Sequence, residues 1–427
     1  MKSELLKSAV LRLNRKRYLI TLVLGLFIVF TSGKTGERRR YYIPDRQDTG
    51  SQAISGQVKK LKGDLHFPGT VERFYKLKGN QLVWIFPDTV KAHSWEAMLM
   101  LDCILQFGLN HNDYHPDKLI SIRMHRLITN YSQVSIEEKA AFDVMLTDAV
   151  ITFMNHLHYG KLNPVYAAKR IDEGISGGFR ADTSLANAFK KADFMSAVLS
   201  AQPKSRAYSI LQSSMRLITG QYVGDCYEVP PGEVRKIAVN MERLRWTDMT
   251  GEKFLQVNIP SNTLRFQLPD TAYQFKVVVG NPLHPTPVLQ SSLSGFIITN
   301  QSYEGNKLSP QIIFPFKNAQ HIDISGISEK SLLHSGRPAY RQGSIQVQQP
   351  QKLAKLLLMN DGQKEKIRLL MNEGRQKQDR DFKLRSSLPV KITYLTCEVI
   401  DGEVIMYNDP YRLDQNLEKA LFGNAVQ

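Results

Sequence analysis

Two stretches of the sequence combine histidine with acidic or hydroxyl residues, as metal-binding and hydrolytic sites do. His111 and His115 flank Asp113, and imidazole and carboxylate groups at this spacing can bind a metal ion. These residues stand in a polar segment before Pro116, with no further ligand nearby in the sequence. We therefore predict a surface loop at 111–115 and no metal site.

The second stretch is His321, Asp323 and Ser325, which alternate along a predicted strand and so share one face of it. Four residues at about 3.3 Å each place His321 about 13 Å from Ser325. Proton transfer needs about 3 Å between heavy atoms, so this distance is too long. We therefore do not expect His321 to act as a base at the position of Ser325.

Other patterns that carry chemistry are missing from the sequence. The three cysteines are too few and too scattered for a disulfide framework, and none stands in a cluster that would hold zinc. The glycine-rich nucleotide-binding motifs and the His-Glu-x-x-His motif of zinc proteases do not occur. We predict that the protein uses no cofactor.

The elements that must position these residues follow an N-terminal segment that is basic, then apolar, then small. The net charge is +16, and half of it lies in residues 1–40, around the apolar run Tyr18–Phe30. This order is typical of a secretory signal, so we predict that residues 1–33 are a signal peptide or an uncleaved membrane anchor. The remaining charge is spread thinly, which argues against a nucleic-acid partner. We expect the body of the protein outside the cytoplasm.

The rest of the chain divides by its apolar pattern. Residues 34–70 are polar and basic and are predicted to be a linker. From 71 to 235 the pattern is helical, and Ser135-Ile-Glu-Glu138 is a capping box that begins one helix. From 236 to 427 a helix at Lys236–Arg245 is followed by alternating segments typical of antiparallel strands. The predicted fold class is α+β, with a mainly helical domain before a β-rich domain.

A set of short motifs runs in order through both halves of the chain. Together they resemble the murein L,D-transpeptidases that carry an N-terminal scaffold domain, over roughly residues 70–420. The motifs are Leu146-Thr-Asp-Ala149, Tyr159-Gly-Lys-Leu-Asn-Pro164, Asn240-Met-Glu-Arg-Leu-Arg-Trp246, Val277-Val-Val-Gly280 with Thr286-Pro287, Phe314-Pro-Phe-Lys-Asn318, Leu388-Pro-Val-Lys-Ile-Thr-Tyr-Leu-Thr396 and Asp409-Pro-Tyr-Arg-Leu-Asp414.

The resemblance implies a periplasmic enzyme of the cell wall, built from a helical scaffold domain and a β-rich catalytic-type domain. Such an enzyme cuts the bond before the terminal D-alanine of a stem tetrapeptide. It then passes the acyl group to an amine of a neighbouring stem, which cross-links peptidoglycan. The family uses a cysteine nucleophile, a histidine base and backbone N–H groups that hold the oxyanion.

This sequence departs from the family at the site itself. The family's nucleophile motif is Ser-His-Gly-Cys-Ile/Val-Arg, and the matching stretch here keeps only the glycine, Gly343, and the apolar residue. Ser344 stands at the cysteine position and Gln346 at the arginine position. Gln342 replaces the histidine before the glycine, and Ser325 aligns with the upstream base.

These replacements remove the groups that the chemistry needs. A serine supplies almost no alkoxide and requires a positioned base, which neither Gln342 nor Ser325 can provide. The segment that carries the substrate lid in the family is reduced here to Asn300–Ile313. We therefore predict a catalytically silent family member that binds peptidoglycan stem peptides or cell-wall enzymes. The alternative is an active transpeptidase or carboxypeptidase that uses Ser344 with an unexpected base, for which His334 is a candidate.

Overall fold

The N-terminal half of the described chain is helical. The computed structural model describes residues 46–87, 93–176, 178–220, 232–247, 249–304, 307–326, 343–371 and 379–423. The helices of this half are α1 (Arg46–Lys60), α2 (Pro68–Leu77), α3 (Ser94–Asp102), α4 (Ser121–Thr129), α5 (Ile136–Tyr159), α6 (Ala168–Asp172), α7 (Ala181–Ala188), α8 (Phe194–Leu199), α9 (Arg206–Thr219) and α10 (Glu233–Trp246).

Helix α5 is the centre of the helical half. It has 24 residues, and every residue from 142 to 155 is buried, as expected of a helix that is surrounded by others. Ser135 begins it, because the serine Oγ accepts a hydrogen bond from Glu138 N at 3.2 Å. Glu138 pairs with Arg126 on α4. The serine half of the predicted capping box is therefore confirmed.

The structure differs from the predicted linker at 34–70 from residue 46 onward. Helix α1 lies there, and its residues Ile54 and Val58 are buried one turn apart. Leu65 and Phe67 continue the buried stretch into α2. The helix has a narrow apolar stripe among polar residues and glycines, so its sequence has the composition of a linker. Packing against α5 stabilises it, which composition alone does not predict.

The C-terminal half is β-rich, and eight of its strands close into a barrel. The strands are β1 (Phe254–Asn258), β2 (Thr263–Gln267), β3 (Ala272–Val278), β4 (Leu289–Glu304), β5 (Lys307–Pro315), β6 (Asp323–Gly326), β7 (Ile345–Val347), β8 (Arg380–Thr393), β9 (Cys397–Ile400) and β10 (Glu403–Met406), with helices α11 (Pro350–Asn360), α12 (Ile367–Met371) and α13 (Asp414–Phe422). The order around the barrel is β1-β2-β3-β7-β6-β5-β4-β8. The predicted combination of a helical region and a β-rich region is confirmed.

Most barrel neighbours are antiparallel, as the alternating pattern predicts, but two pairs are parallel. Strand β1 pairs in parallel with β8, which closes the barrel. Strand β6 pairs in parallel with β7, with Ser325 opposite Gln346. These two strands are close in space although a long connection separates them in the chain. The parallel pair brings predicted site residues onto adjacent strands.

The described chain has two hydrophobic cores, and the chain does not pass from one to the other at the predicted boundary, 235/236. Helix α10 contributes Ile237 and Met241 to the helical core, although most of it follows residue 235. After β8 the chain returns to that same core through Leu395 and Cys397. The hairpin of β9 and β10 forms a separate sheet. A periodic pattern shows that a helix has a buried face, but it does not show which core covers that face.

No helix among the described residues is long and apolar enough to cross a membrane. The predicted signal or anchor at 1–33 lies outside the described part of the chain.

Candidate functional site

The residues aligned with the family's nucleophile motif lie where β7 begins. We define the Ser344 site as Ser325, Gly343, Ser344 and Gln346. Ser325 and Gln346 are register partners on β6 and β7, and Ser344 directly precedes β7. The structure therefore brings these predicted site residues together. Gln342, the fifth predicted residue, lies outside the described residues, as does His334.

The Ser344 site contains polar atoms that are buried without partners. Ser344 is 7% exposed and Ser325 is 8% exposed. Within the described chain, Ser344 Oγ and Gln346 Oε1 have no hydrogen-bond partner. A buried polar atom in this state costs about 1–3 kcal/mol of stability. Such an atom is also ready to bond a ligand that supplies the missing partner.

No described base reaches the serine. Because Ser344 Oγ has no hydrogen-bond partner among the described residues, no histidine or lysine nitrogen of that part of the chain is bonded to it. His321 is exposed and has a left-handed backbone with φ of 52°. Strand β6 begins only at Asp323, so the predicted strand at His321–Ser325 is shorter than expected. Asn318 closes the preceding turn, since its Nδ2 donates to Ile322 O at 2.7 Å.

A tight loop holds Gly343 in place. Gly343 has φ of 78°, and a Cβ there would lie 3.0 Å from Pro285 O, so a glycine is required on both counts. Thr286 Oγ1 donates to Gly343 O at 2.9 Å. Thr286 Oγ1 also accepts a hydrogen bond from Gly280 N at 2.8 Å. The motif residues Gly280 and Thr286 thus position the backbone beside Ser344.

Two further motifs support this loop from behind. Tyr411 Oη donates to Gly280 O at 2.6 Å and accepts from Thr286 N at 3.1 Å. Tyr394 donates its hydroxyl to Asp409 and accepts from Tyr411 N at 2.8 Å. Burial opposes ionisation of Asp409, but this hydrogen bond and two from backbone N–H groups lower the pKa of its carboxyl. These hydrogen bonds fix the loop that precedes Ser344 from behind.

The described chain has a concave region between α10, α13 and the end of β8. This pocket has a volume of about 490 Å³, and Leu244, Trp246 and Leu417 are among the residues that line it. Arg243 also lines this pocket. Its guanidinium is paired with Asp414 at 2.5 Å and lies over the Tyr394 ring. The residues that line the pocket do not include a nucleophile paired with a base, so we assign the pocket no catalytic role.

The helical half holds a cluster that the sequence prediction missed. His115 is 8% exposed, so the predicted surface loop is wrong at this residue. Its Nε2 lies 2.7 Å from Asp148 Oδ2, and His66 Nδ1 lies 3.3 Å from the same oxygen. Asp113 instead accepts from Lys161 Nζ at 2.7 Å. The ligand atoms of the three clustered residues all lie within 4.8 Å of one another.

The electrostatics of this cluster favour a charged carboxylate. Burial raises the pKa of Asp148, but hydrogen bonds from His115, His66 and two backbone N–H groups outweigh it and hold the pKa at about 2. The hydrogen bond to Asp148 raises the pKa of His66. A buried aspartate on a central helix is itself a sequence signal, because a buried carboxylate needs partners. Those partners are far away in the chain, so spacing could not identify them.

Comparison with known proteins adds two findings. The family described as Scaffold domain matches residues 69–215, which run from α2 into α9. Among solved structures, a cysteine-to-serine mutant of an Enterococcus faecium L,D-transpeptidase is similar at 15% identity and a TM-score of 0.20. The match covers 34% of this chain and 52% of the other, so the chain spans about half the length of that protein. No curated protein matches the chain.

Proposed function

We propose that this chain is an exported, catalytically silent relative of the L,D-transpeptidases that binds peptidoglycan stem peptides at the Ser344 site. The observation that carries the proposal is the pair of buried, unpartnered polar atoms, Ser344 Oγ and Gln346 Oε1. They stand at the positions where the resemblance places the family's nucleophile and arginine. The match of the helical half to the Scaffold domain supports the same family.

The chemistry of the unpartnered atoms suits a peptide. A serine hydroxyl both donates and accepts, and the glutamine oxygen accepts, so together they can bond a backbone N–H and a C=O. The D-alanine end of a stem tetrapeptide offers both groups. Ser325, on the strand beside Gln346, adds another hydroxyl residue to the same site.

The same geometry argues against catalysis. A serine nucleophile needs a base within about 3 Å, and no described nitrogen is bonded to Ser344 Oγ. Gln346 cannot replace the charge of an arginine. The rigid support from Thr286 and Tyr411 remains, which is what binding without turnover requires. A partner enzyme of the cell wall is a further candidate ligand for the Ser344 site.

The test measures turnover and binding on the same protein. The purified chain is incubated with a disaccharide-tetrapeptide, D-alanine release is followed by chromatography, and binding is measured by calorimetry. We expect binding without release. Gln346→Leu should weaken binding by about three- to tenfold, because it removes one hydrogen bond worth about 0.5–1.5 kcal/mol.

Ser387→Ala is the matched control, because Ser387 is exposed on β8, across the barrel from β7. It should bind the tetrapeptide as the unmodified chain does. Release of D-alanine that disappears in Ser344→Ala would contradict the proposal and make Ser344 a nucleophile. Folded protein that neither binds nor cleaves the tetrapeptide would refute both functions.

A further inference from the structure

Three side chains from separate segments meet on the helical half, far along the chain from the Ser344 site. His66 precedes α2, His115 follows the short turn His111–Tyr114, and Asp148 lies in the middle of α5. The centroids of the two imidazole rings are 4.8 Å apart and the rings are tilted by 43°. Their ligand atoms and the carboxylate oxygen all lie within 4.8 Å of one another.

We propose that His66, His115 and Asp148 bind one divalent transition-metal ion, with zinc as the best fit. Two imidazoles and one carboxylate form a donor set that suits first-row transition metals. Zinc accepts three such protein ligands and completes a tetrahedron with water. The half-exposed His66 leaves one side of the cluster open, so an ion and a water ligand can enter there.

The two distances from the imidazole nitrogens to Asp148 Oδ2 are close to those that a metal requires. Ligand atoms about 2.0–2.1 Å from a tetrahedral ion lie about 3.3 Å from each other. His66 Nδ1 and Asp148 Oδ2 are already 3.3 Å apart. His115 Nε2 and Asp148 Oδ2 are 2.7 Å apart, so the imidazole would move back by about half an ångström as the ion enters.

Hydrogen bonds outside the donor set hold the carboxylate in place. Asp148 Oδ1 accepts from Phe67 N at 3.0 Å, and Oδ2 accepts from His66 N at 3.0 Å. The backbone at His115 is held as well, because its carbonyl accepts from Leu119 N at 2.9 Å. Such outer contacts orient ligands before the metal arrives and strengthen its binding.

The surrounding charge permits a cation. Asp148 contributes one negative charge, and its side chain is fully buried. Lys161 is near enough to act on His66 electrostatically. Its ammonium is paired with Asp113 at 2.7 Å, so the pair adds little net charge. A divalent ion at the cluster therefore meets a carboxylate and two imidazoles, with the nearby ammonium already paired.

The experiment uses the untagged full chain, stripped of metal with a chelator. Zinc is titrated by calorimetry, bound metal per chain is measured by mass spectrometry, and Co²⁺ reports tetrahedral ligation through its visible absorption. We expect one ion per chain. His66→Ala should weaken zinc binding by about 100-fold, because loss of even an outer-shell partner costs 10- to 100-fold.

His125→Ala is the control, because His125 is exposed on α4 and outside the cluster. It should bind zinc as the unmodified chain does. His115→Ala can disturb folding, so His66→Ala, with its half-exposed side chain, decides the question. Folded chain that binds no zinc, or binding that is unchanged in His66→Ala, would show a hydrogen-bonded cluster only and overturn the proposal.

Discussion

The environment of Ser344 bears most directly on the proposed binding of a peptide. Its hydroxyl is buried and, among the described residues, has no hydrogen-bond partner. Its position coincides with the one that the resemblance assigns to the nucleophile. Binding a peptide group would relieve the cost, which connects the stability of the free protein to its proposed function.

Replacing this hydroxyl should therefore stabilise the protein. We expect Ser344→Ala to raise the free energy of unfolding by about 1 kcal/mol, because it removes a buried polar group that has no partner. Urea unfolding checks this, with Ser387→Ala as the exposed control that changes stability by less than about 0.5 kcal/mol. A loss of stability in Ser344→Ala would show that the hydroxyl has a partner.

Single residues could be predicted only where a motif aligned them. Ser325 and Gln346 were selected in this way, and the strand register places them opposite each other. The cluster of His66, His115 and Asp148 was missed because Asp148 is 82 residues from His66 and 33 from His115. Contacts at such separations depend on tertiary packing, which residue spacing does not encode.

At the scale of elements, charged side chains connect helices that are distant in sequence. Arg73 on α2 donates to Asp182 on α7 at 2.7 Å, and Arg180 donates to the same carboxylate at 2.7 Å. Burial raises the pKa of Asp182, but hydrogen bonds from both arginines and a backbone N–H outweigh it and lower the pKa to about 2. The ionised carboxylate thus stabilises the packing of α2 against α7.

This connection should weaken in acid. The folded pKa of about 2 lies below the unfolded value of about 3.9, so the contribution is present above pH 4 and is lost as the pH falls towards 2. Between pH 5 and 3 we expect the unmodified chain to lose about 1 kcal/mol more stability than Asp182→Asn, after allowance for solvent screening. Urea unfolding across this pH range measures the difference.

The exposed Asp270 provides the control for this series. Asp270→Asn should show the same pH dependence as the unmodified chain. If Asp182→Asn also follows the unmodified chain between pH 5 and 3, the two arginines do not stabilise the charged form.

Elements were predictable where local signals and period agree. Helix α9 lies in the region predicted to be helical, and Ser205 caps its first turn. Strands β9 and β10 form a hairpin, because Asp401 and Gly402 between them have φ of 52° and 90° and form a tight turn. An Asp-Gly pair is a known signal for a hairpin turn, so the sequence itself indicates this one. Helix α1, in contrast, depends on contacts with α5 that its own polar sequence does not indicate.

On the scale of the whole molecule, α10 joins the helical core to the end of β8. Asn240 Nδ2 donates to Thr396 Oγ1 at 2.8 Å, and its Oδ1 accepts from Thr396 N at 2.8 Å. Two residues further along α10, Glu242 accepts from Leu162 N at 2.7 Å and pairs with the fully buried Arg245 at 3.0 Å. The motif segments 159–164, 240–246 and 388–396 thus contact one another at α10.

Removing the hydrogen bonds of Asn240 to Thr396 should destabilise the protein. We expect Asn240→Leu to lower the free energy of unfolding by about 2–3 kcal/mol, because it leaves the buried Thr396 N–H without a partner. Urea unfolding gives the value. Asn187→Leu, at an exposed position on α7, should change stability far less. Equal effects of the two variants would show that the Asn240 contacts contribute little.

The predicted succession of a helical region and a β-rich region holds for the described residues. The predicted boundary at 235/236 does not match the cores, since α10 and residues after β8 complete the helical one. Each of these segments carries an apolar face that fits either core by pattern alone. Only the three-dimensional path of the chain decides between them.

This return of the chain constrains the order of folding. Leu395 and Cys397 belong to the helical core, and Phe422 packs against it. A growing polypeptide that has made only α1 to α10 therefore lacks part of the surface that covers its own helices. The helical half can reach its final packing only when residues 395–422 have been synthesised, and until then it exposes apolar surface that chaperones or early aggregation can engage.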